Sequence, residues 1–302
     1  MPAKTIILTG ANSEIGKAAA KHLANAGHVV ILACRSREKA EQVRHEIGKN
    51  TIAAELDLAS RRSIHEFTDW AHRELNRIDG LINNAADFNL SETERELTSD
   101  GFERIWFTNH LAPVLLTDRL MDYIIASPQG RIINISSKGL LARPFQTVDT
   151  EDPTFGNRHF TPAAAYYQSK MAQSIYTVWL AQQLTGTMAT ANCIRVTNVK
   201  IDINRFPDLP QGLKNLYTLK ALFSITPEKM AETYAAAVLD PGFRNISGAL
   251  ISHSGKQVPF PAYAKDPLCI ERVMSLTYRQ LGIAPAVTFT GADDQSAPTG
   301  FR

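Results

Sequence analysis

The chain has 302 residues, which is long enough for one large domain with a full hydrophobic core or for two small domains. Hydrophobic residues make up 44% and charged residues 21% of it, as in soluble globular proteins, which argues against a disordered or fibrous chain. The formal net charge of +2 gives no general attraction to nucleic acid or to an anionic membrane, so neither partner is expected.

The N-terminal residues and the cysteines indicate a cytoplasmic protein without a metal site. Met1 to Lys4 lead directly into an apolar strand, without the charged and apolar regions of a signal peptide. No run approaches the roughly 20 apolar residues that a membrane-spanning helix needs. The eight histidines include no His-Glu-x-x-His metal motif. Three widely spaced cysteines are typical of reduced thiols: Cys34, Cys193 and Cys269.

Short β-rich runs alternate with helical segments along most of the chain. Several of these runs are continuously apolar, as strands buried on both faces of a parallel sheet are. Repeated strand–helix units predict a single α/β domain with a doubly wound, seven-stranded parallel sheet and helices on both faces. The predicted strands are Thr5–Thr9, Val29–Cys34, Thr51–Leu56, Gly80–Asn83, Arg131–Ile135, Thr190–Val196 and Ala249–Ser252. The predicted helices include Ile15–Ala26, Arg37–Ile47, Ser63–Leu75 and Phe102–Ala126.

Two later helices have recognisable start signals. Thr161 and Thr226 each place a capping hydroxyl before a proline at the first helical position. Gly186 is predicted to end the first of these helices. From about residue 284 to residue 302, Pro, Gly, Asp, Ser and Thr are frequent, which predicts a flexible tail after a domain that spans residues 1–283.

The first strand continues into a glycine-containing loop that opens a helix, in the order Thr9-Gly-Ala-Asn-Ser-Glu-Ile-Gly16. Glycines in this place let the backbone turn tightly and approach a pyrophosphate, whose charge meets the helix N-terminus. A plain strand–helix turn also favours glycine, but the position directly after an N-terminal strand favours dinucleotide binding. Glu14 stands where a glycine is usual, and its carboxylate would repel phosphates unless it turns to solvent. The predicted cofactor contacts in this loop are Gly10, Asn12, Ser13, Glu14, Ile15 and Gly16.

The end of the second strand predicts which dinucleotide binds. A carboxylate there would bind the adenosine ribose of NAD, but the chain has Cys34-Arg35 and no acid at the strand end. The planar guanidinium of Arg35 suits the 2′-phosphate of NADP(H); the alternative is that Arg35 only solvates the loop. After the third strand, Asp57 and Leu58 are predicted to contact the adenine, although Asp57 is nearly as well explained as a turn or cap residue.

Tyr166 and Lys170 are four residues apart in a predicted helix, which brings the phenol and the amine to one face. A neighbouring positive charge lowers the pKa of a phenol and makes it a usable proton donor or acceptor near neutral pH. Such pairs also arise by chance, as a solvated lysine beside a packed aromatic ring. The nucleotide-binding start upstream favours the catalytic interpretation.

With these residues in order, the chain resembles the short-chain dehydrogenase/reductase family over about residues 5 to 252, and within it the branch of retinol dehydrogenases and protochlorophyllide reductases. Thr9–Gly16 is similar to the family's glycine motif. Asn83–Ala86 is similar to the family's Asn-Asn-Ala-Gly, which adds Asn84 and Ala85 to the predicted cofactor contacts.

The resemblance implies a Rossmann fold, an NADP(H) cofactor and four catalytic residues. Ser137 would hold the substrate oxygen while Tyr166 exchanges a proton with it. Lys170 would lower the pKa of the phenol and bind the nicotinamide ribose, so Tyr166 and Lys170 also belong to the cofactor site. The backbone of Val199 would contact the nicotinamide amide. The fourth catalytic residue is Asn109.

Pro113 is a second reason to single out Asn109, because it lies four residues downstream in the same predicted helix. Proline has no N–H, so the carbonyl of Asn109 loses its usual hydrogen-bond donor and can bind a water instead. The resemblance implies that such a water relays protons between Asn109 and Lys170. A simple proline kink is the alternative.

The predicted function is NADP-dependent interconversion of an alcohol and a ketone or aldehyde on a hydrophobic small molecule, by hydride transfer with Tyr166 as the acid/base. Residues 203–225 correspond to the family's lid over the substrate and contain many apolar side chains, so a mainly apolar pocket is expected. A non-redox isomerase or cyclase of the same fold and a protein that binds NADP(H) without turnover stay alternatives. The resemblance is also compatible with a homo-oligomer.

Overall fold

The computed structural model describes residues 2–88, 94–200, 212 and 224–287. These residues form one eight-stranded sheet with the strand order β3-β2-β1-β4-β5-β6-β7-β8. Neighbouring strands from β1 to β7 are parallel, and β8 pairs with β7 in the antiparallel direction. The strands are β1 Thr5–Thr9, β2 Val29–Cys34, β3 Thr51–Glu55, β4 Gly80–Asn83, β5 Arg131–Ser137, β6 Thr190–Val196, β7 Leu250–Ser252 and β8 Gln257–Val258.

Helices cover both faces of the sheet, as the doubly wound prediction requires. They are α1 Glu14–Asn25, α2 Arg37–Ile47, α3 Arg61–Glu74, α4 Arg104–Trp106, α5 Ala112–Arg119, α6 Met121–Ile125, α7 Pro162–Gln183, α8 Pro227–Leu239 and α9 Pro267–Leu281. A π-helical turn, Phe107–Leu111, connects α4 to α5.

The hydrophobic core lies in two layers, one on each face of the sheet, because successive side chains of a strand point to opposite faces. In β1, Ile6 and Leu8 belong to the layer under α1 and α8, whereas Ile7 belongs to the layer under α3, α5 and α7. All three are fully buried. Continuous apolar runs in the central strands are therefore explained by burial on both sides.

Side-chain caps fix where the helices begin. A hydroxyl or carboxylate just before the helix accepts a backbone N–H that has no partner inside the helix, which stabilises the first turn. The capping residues of this kind include Ser13 (α1), Ser36 (α2), Ser60 (α3), Thr161 (α7), Thr226 (α8) and Asp266 (α9).

Several predicted element bounds are wrong. The sheet has an eighth strand, β8. Its two residues are too few to show the pattern of apolar residues by which a strand is predicted. β5 continues two residues further than predicted, to Ser137. α7 ends at Gln183, and Gly186 follows in a turn with φ +85°. The single helix predicted for residues 102–126 is instead interrupted by the π-turn and by a second break at Leu120.

Candidate active site

A cavity of about 810 Å³ opens at the carboxyl ends of the parallel strands, above the boundary between β1 and β4. The strand order reverses at this boundary, which is where ligands of doubly wound sheets bind. Thirteen of the predicted site residues line the cavity: Gly10, Asn12, Ser13, Ile15, Arg35, Asp57, Leu58, Asn84, Ala85, Ser137, Tyr166, Lys170 and Val199. The other three, Glu14, Gly16 and Asn109, are not among the lining residues.

Two glycines shape the loop after β1. Gly10 has φ +63°, and a Cβ there would lie 2.9 Å from the Cα of Ala85. A Cβ at Gly16 would overlap the carbonyl oxygen of Gly10. Between them, the hydroxyl of Ser13 donates to the Gly10 carbonyl at 2.9 Å and accepts the N–H of Gly16 at 3.1 Å. The loop is therefore held close to β4 and leaves the backbone approach that a pyrophosphate needs.

Asn84 ties this loop to the strand beside it. Its amide nitrogen donates to the carbonyl of Thr9 at 2.8 Å, and its amide oxygen accepts the hydroxyl of Tyr234 at 3.2 Å. Burial raises the pKa of Tyr234, so this hydroxyl stays a neutral donor. Tyr234 lies on α8 and lines the cavity, but its distance along the chain from Asn84 hides this contact from sequence reasoning.

The end of the cavity beside β2 and β3 is basic. Arg35 is exposed there, directly after β2, and Lys39 from the first turn of α2 lines the same wall. Asp57 folds back on its own turn, since its carboxylate accepts the N–H of Ala59 at 3.0 Å. This agrees with the turn alternative for Asp57, although Asp57 and Leu58 both reach the cavity. Lys39 is a second cation that sequence reasoning missed.

Lys170 stands at the other end of the cavity, on α7. Its side chain is only 2% exposed, and its ammonium donates to the carbonyl of Ile135 at 3.1 Å. The ammonium lies 5.6 Å from the centre of the Tyr166 ring. Burial lowers the pKa of Lys170 to about 8, so the amine still carries its positive charge for the most part at neutral pH.

β5 ends in two neighbouring serines, Ser136 and Ser137, which both line the cavity but differ in their contacts. The hydroxyl of Ser136 is buried and lies 3.1 Å from that of Ser174 on α7. The hydroxyl of Ser137 accepts the N–H of Gly139 at 3.1 Å, and Ser137 is half-buried at the cavity. This arrangement favours Ser137 as the group that meets a substrate.

Tyr167, the neighbour of Tyr166, also lines the cavity but is packed from both sides. A Cβ on Gly139 would overlap the hydroxyl of Tyr167, so this ring lies directly against the Gly139 backbone. The guanidinium of Arg143 covers the ring at 4.4 Å from its centre. Tyr166 is the phenol that the Lys170 ammonium approaches.

Asn109 lies in the π-turn, where the N–H of Ala112 donates to the carbonyl of Phe107, five residues back. Asn109 is 1% exposed and is not among the residues that line the cavity. The amide oxygen accepts the N–H of Asp87 at 2.6 Å, and the amide nitrogen donates to the Asp87 carbonyl at 2.9 Å. The same nitrogen donates to Ser169 at 3.1 Å. Asn109 therefore clamps the loop after β4 onto α7, which sequence reasoning did not predict.

After β6, the structure describes the predicted cofactor contact Val199 but only a small part of the predicted lid. Val199 pairs with Ile225 in an isolated bridge and lines the cavity. The predicted lid, 203–225, falls outside the described residues except for residues 212, 224 and 225, and so does the predicted tail beyond residue 287. Among the helices that the structure describes, none has the length and apolar character to cross a membrane.

The residues that line the cavity fit a nicotinamide dinucleotide. Gly10 and Gly16 leave the space that a Cβ would fill, and two cations, Arg35 and Lys39, stand at the adenosine end. The amine of Lys170 stands at the opposite end, where it would hold ribose hydroxyls.

Comparisons with known proteins agree with this geometry. The family model described as short chain dehydrogenase matches residues 4–148. Retinol dehydrogenase 13 of Homo sapiens is 34% identical over 296 residues, which cover 95% of this chain and 87% of that protein. Retinol dehydrogenase 14 of Mus musculus is 31% identical over 94% of this chain and 87% of its own length.

Solved structures with a similar fold cover most of the chain. A crystal structure of a protein from Mycobacterium paratuberculosis superposes with a TM-score of 0.71 at 26% identity, covering 93% of this chain and 96% of that one. A short-chain dehydrogenase/reductase from Serratia marcescens gives a TM-score of 0.64 at 26% identity, with 82% and 95% of the two chains covered.

Proposed function

Since this chain belongs to the short-chain dehydrogenase/reductase family, we propose that it is an NADP(H)-dependent enzyme that interconverts an alcohol and a ketone or aldehyde on a hydrophobic small molecule. Oxidoreductase activity with a nicotinamide dinucleotide follows from the family. The choice of NADP(H), the role of Tyr166 and the class of substrate are the proposal.

One observation carries the proposal: a buried amine lies 5.6 Å from the centre of a phenol ring at the cavity wall, and a serine hydroxyl stands on the same wall. The positive charge of Lys170 favours the phenolate of Tyr166 over the phenol, which makes proton exchange feasible near neutral pH. Ser137 offers a hydroxyl that can hold the substrate oxygen next to Tyr166.

In the reducing direction, the phenol of Tyr166 donates its proton to the substrate oxygen while Ser137 donates a hydrogen bond to the same oxygen. In the oxidising direction, the phenolate of Tyr166 takes the proton back. NADP(H), when bound, supplies or accepts the hydride at the substrate carbon. Lys170 keeps the phenol acidic in both directions and would hold the nicotinamide ribose.

The choice of NADP(H) is supported by Arg35 and Lys39. Both line the adenosine end of the cavity, and the residue that ends β2 is Cys34 rather than an acid. A 2′-phosphate would be held there by two cations, whereas NAD would find no carboxylate for its ribose.

The three cysteines are unpaired, which supports a reducing, cytoplasmic compartment.

The test is consumption of NADPH with a panel of apolar ketones and aldehydes, for the wild type and for Tyr166→Phe. We expect steady consumption by the wild type and a loss of about 10²- to 10⁴-fold in kcat for the variant, with NADPH affinity retained. NADPH binding without consumption on every member of the panel would favour an isomerase, a cyclase or a sensing protein instead.

A further inference from the structure

Phe88 stacks on the ring of Tyr166. The two ring centres are 4.2 Å apart and the ring planes are inclined by 29°. Phe88 is half-buried and lines the cavity, five residues beyond the end of β4. The motif Asn83–Ala86 that identifies this loop stops two residues earlier, so nothing in it assigns a role to Phe88.

The backbone that carries Phe88 is fixed at the preceding residue. Both the N–H and the carbonyl of Asp87 are bound by the side chain of Asn109, at 2.6 and 2.9 Å. The carboxylate of Asp87 pairs with Arg104 at 3.1 Å, and Arg104 also pairs with Glu96 at 3.1 Å. Two peptide contacts and one ion pair thus set where the next side chain can lie.

Tyr166 is confined on more than one side by aromatic rings. Phe88 covers one face, and the ring of Tyr167 meets Tyr166 edge-on, with the centres 5.2 Å apart. Below them, the hydroxyl of Ser169 accepts from Asn109 at 3.1 Å and donates to the carbonyl of Tyr166 at 2.7 Å. Asn109 therefore contacts both partners of the stack, through Asp87 on one side and through Ser169 on the other.

We propose that Phe88 is a positioning residue of the reaction, held by the Asn109–Asp87 clamp, whose ring keeps the phenol of Tyr166 in one orientation. This inference rests on the proposed role of Tyr166 as the acid/base. Aromatic pairs favour defined stacked geometries, whereas an aliphatic side chain fills space without fixing the angle of a neighbouring ring. Because proton transfer requires the hydroxyl within hydrogen-bond distance of the substrate oxygen, a phenol that swings about its Cα–Cβ bond is seldom in place.

The test compares Phe88→Ala, Phe88→Leu and Phe88→Tyr with the wild type. We expect kcat to fall about tenfold or more in Phe88→Ala and by a smaller factor in Phe88→Leu, with the KM for NADPH unchanged. Phe88→Tyr keeps an aromatic face and should restore kcat to within about twofold of the wild type. Phe145→Ala is the matched control, because Phe145 is 93% exposed and does not line the cavity.

The ion pair that supports this backbone is tested by Asp87→Ala in two backgrounds, because the variant removes the contact with Arg104 and keeps both peptide contacts with Asn109. If Asp87 acts through Phe88, Asp87→Ala lowers kcat when Phe88 is present and has little further effect in the Phe88→Ala background. If Asp87→Ala lowers kcat by the same factor in both backgrounds, the Asp87 carboxylate acts independently of Phe88, and the ion pair with Arg104 has no part in holding the ring.

A measurement without substrate separates this inference from the proposed function. In protein labelled with 3-fluorotyrosine, we expect one sharp ¹⁹F resonance for Tyr166, assigned by its loss in Tyr166→Phe, and a broadened or split resonance in Phe88→Ala. An unchanged sharp resonance in Phe88→Ala, or a Phe88→Leu enzyme as fast as the wild type, would overturn the role of Phe88. If the wild type turns over no carbonyl at all, the proposed function fails and the ¹⁹F result alone decides whether Phe88 orients the ring.

Discussion

At the scale of single residues, the sequence predicts two cations of the cavity, Lys170 and Arg35, but not how the fold surrounds them. Lys170 was predicted to contact Tyr166 from a spacing of four residues, and the structure places its ammonium 5.6 Å from that ring. Its near-complete burial, and the lowered pKa that results, depend on β5 lying over α7 and cannot be read from the spacing. Arg35 was predicted from its position after β2, whereas Lys39 needed the turn of α2 to bring it to the same wall.

The basic end of the cavity gives a prediction about cofactor preference. In Arg35→Ala and Lys39→Ala we expect the Kd for NADPH to rise by about tenfold or more each, because each loses a charge-assisted contact to the 2′-phosphate. The Kd for NADH should change little. Arg37→Ala is the control, since Arg37 lies between them but pairs with Glu41 and is not part of the cavity wall. Equal losses for NADPH and NADH in all three variants would contradict the assignment.

At the scale of elements, the strands were predicted more successfully than the irregular turns. Five or more residues of continuous apolar sequence, as in β2, suffice to predict a buried strand. Pro113 predicted an irregularity near Asn109, but not that it takes the form of a π-turn or that the Asn109 side chain binds the peptide of Asp87. Contacts such as this one join residues 22 apart and depend on how two elements pack.

The π-turn leads to a prediction for Pro113→Ala. Alanine restores an N–H that can donate to the carbonyl of Asn109, so the turn can close into regular α-helix and pull Asn109 away from Asp87. We expect kcat to fall about tenfold while the melting temperature stays equal or rises. Pro162→Ala, at the first position of α7, should leave kcat unchanged because no helical N–H is missing there. A fully active Pro113→Ala enzyme would show that the irregular turn is not required.

At the scale of the whole molecule, α9 is held against α4, the π-turn and α5, far from these elements in the sequence. The indole N–H of Trp106 donates to Gln280 at 2.9 Å, and His110 lies 2.7 Å from Thr277, which fixes α9 against the π-turn. Nearby, the buried carboxylate of Asp118 accepts the hydroxyl of Tyr278 at 3.1 Å. These contacts connect residues more than 150 positions apart in the sequence, so neither the amino-acid composition nor the spacing of apolar residues could predict them.

Asp118 makes stability depend on pH. Burial raises its pKa from 3.8 to about 6, so the folded protein binds more protons than the unfolded chain between these values. The stabilising contribution is therefore complete below pH 3.8 and is lost as the pH rises through about 6. Relative to the wild type, Asp118→Asn should gain on the order of 2 kcal/mol in free energy of unfolding between pH 4 and pH 7.

Urea unfolding of both proteins at the two pH values measures this difference directly. Asp122→Asn is a suitable control, because Asp122 is on the neighbouring helix α6 with a largely exposed side chain. A difference between Asp118→Asn and the wild type that stays constant with pH would show that the Asp118 carboxyl titrates in the folded protein as it does in the unfolded chain.

The place of α9 in the chain has a consequence for the timing of activity in the cell. The loop after β1 and helix α7 leave the ribosome well before residues 267–281, and until then Trp106 and His110 lack their partners from α9. We therefore expect nascent chains stalled before α9 to be inactive, even though Ser137, Tyr166 and Lys170 have already been synthesised.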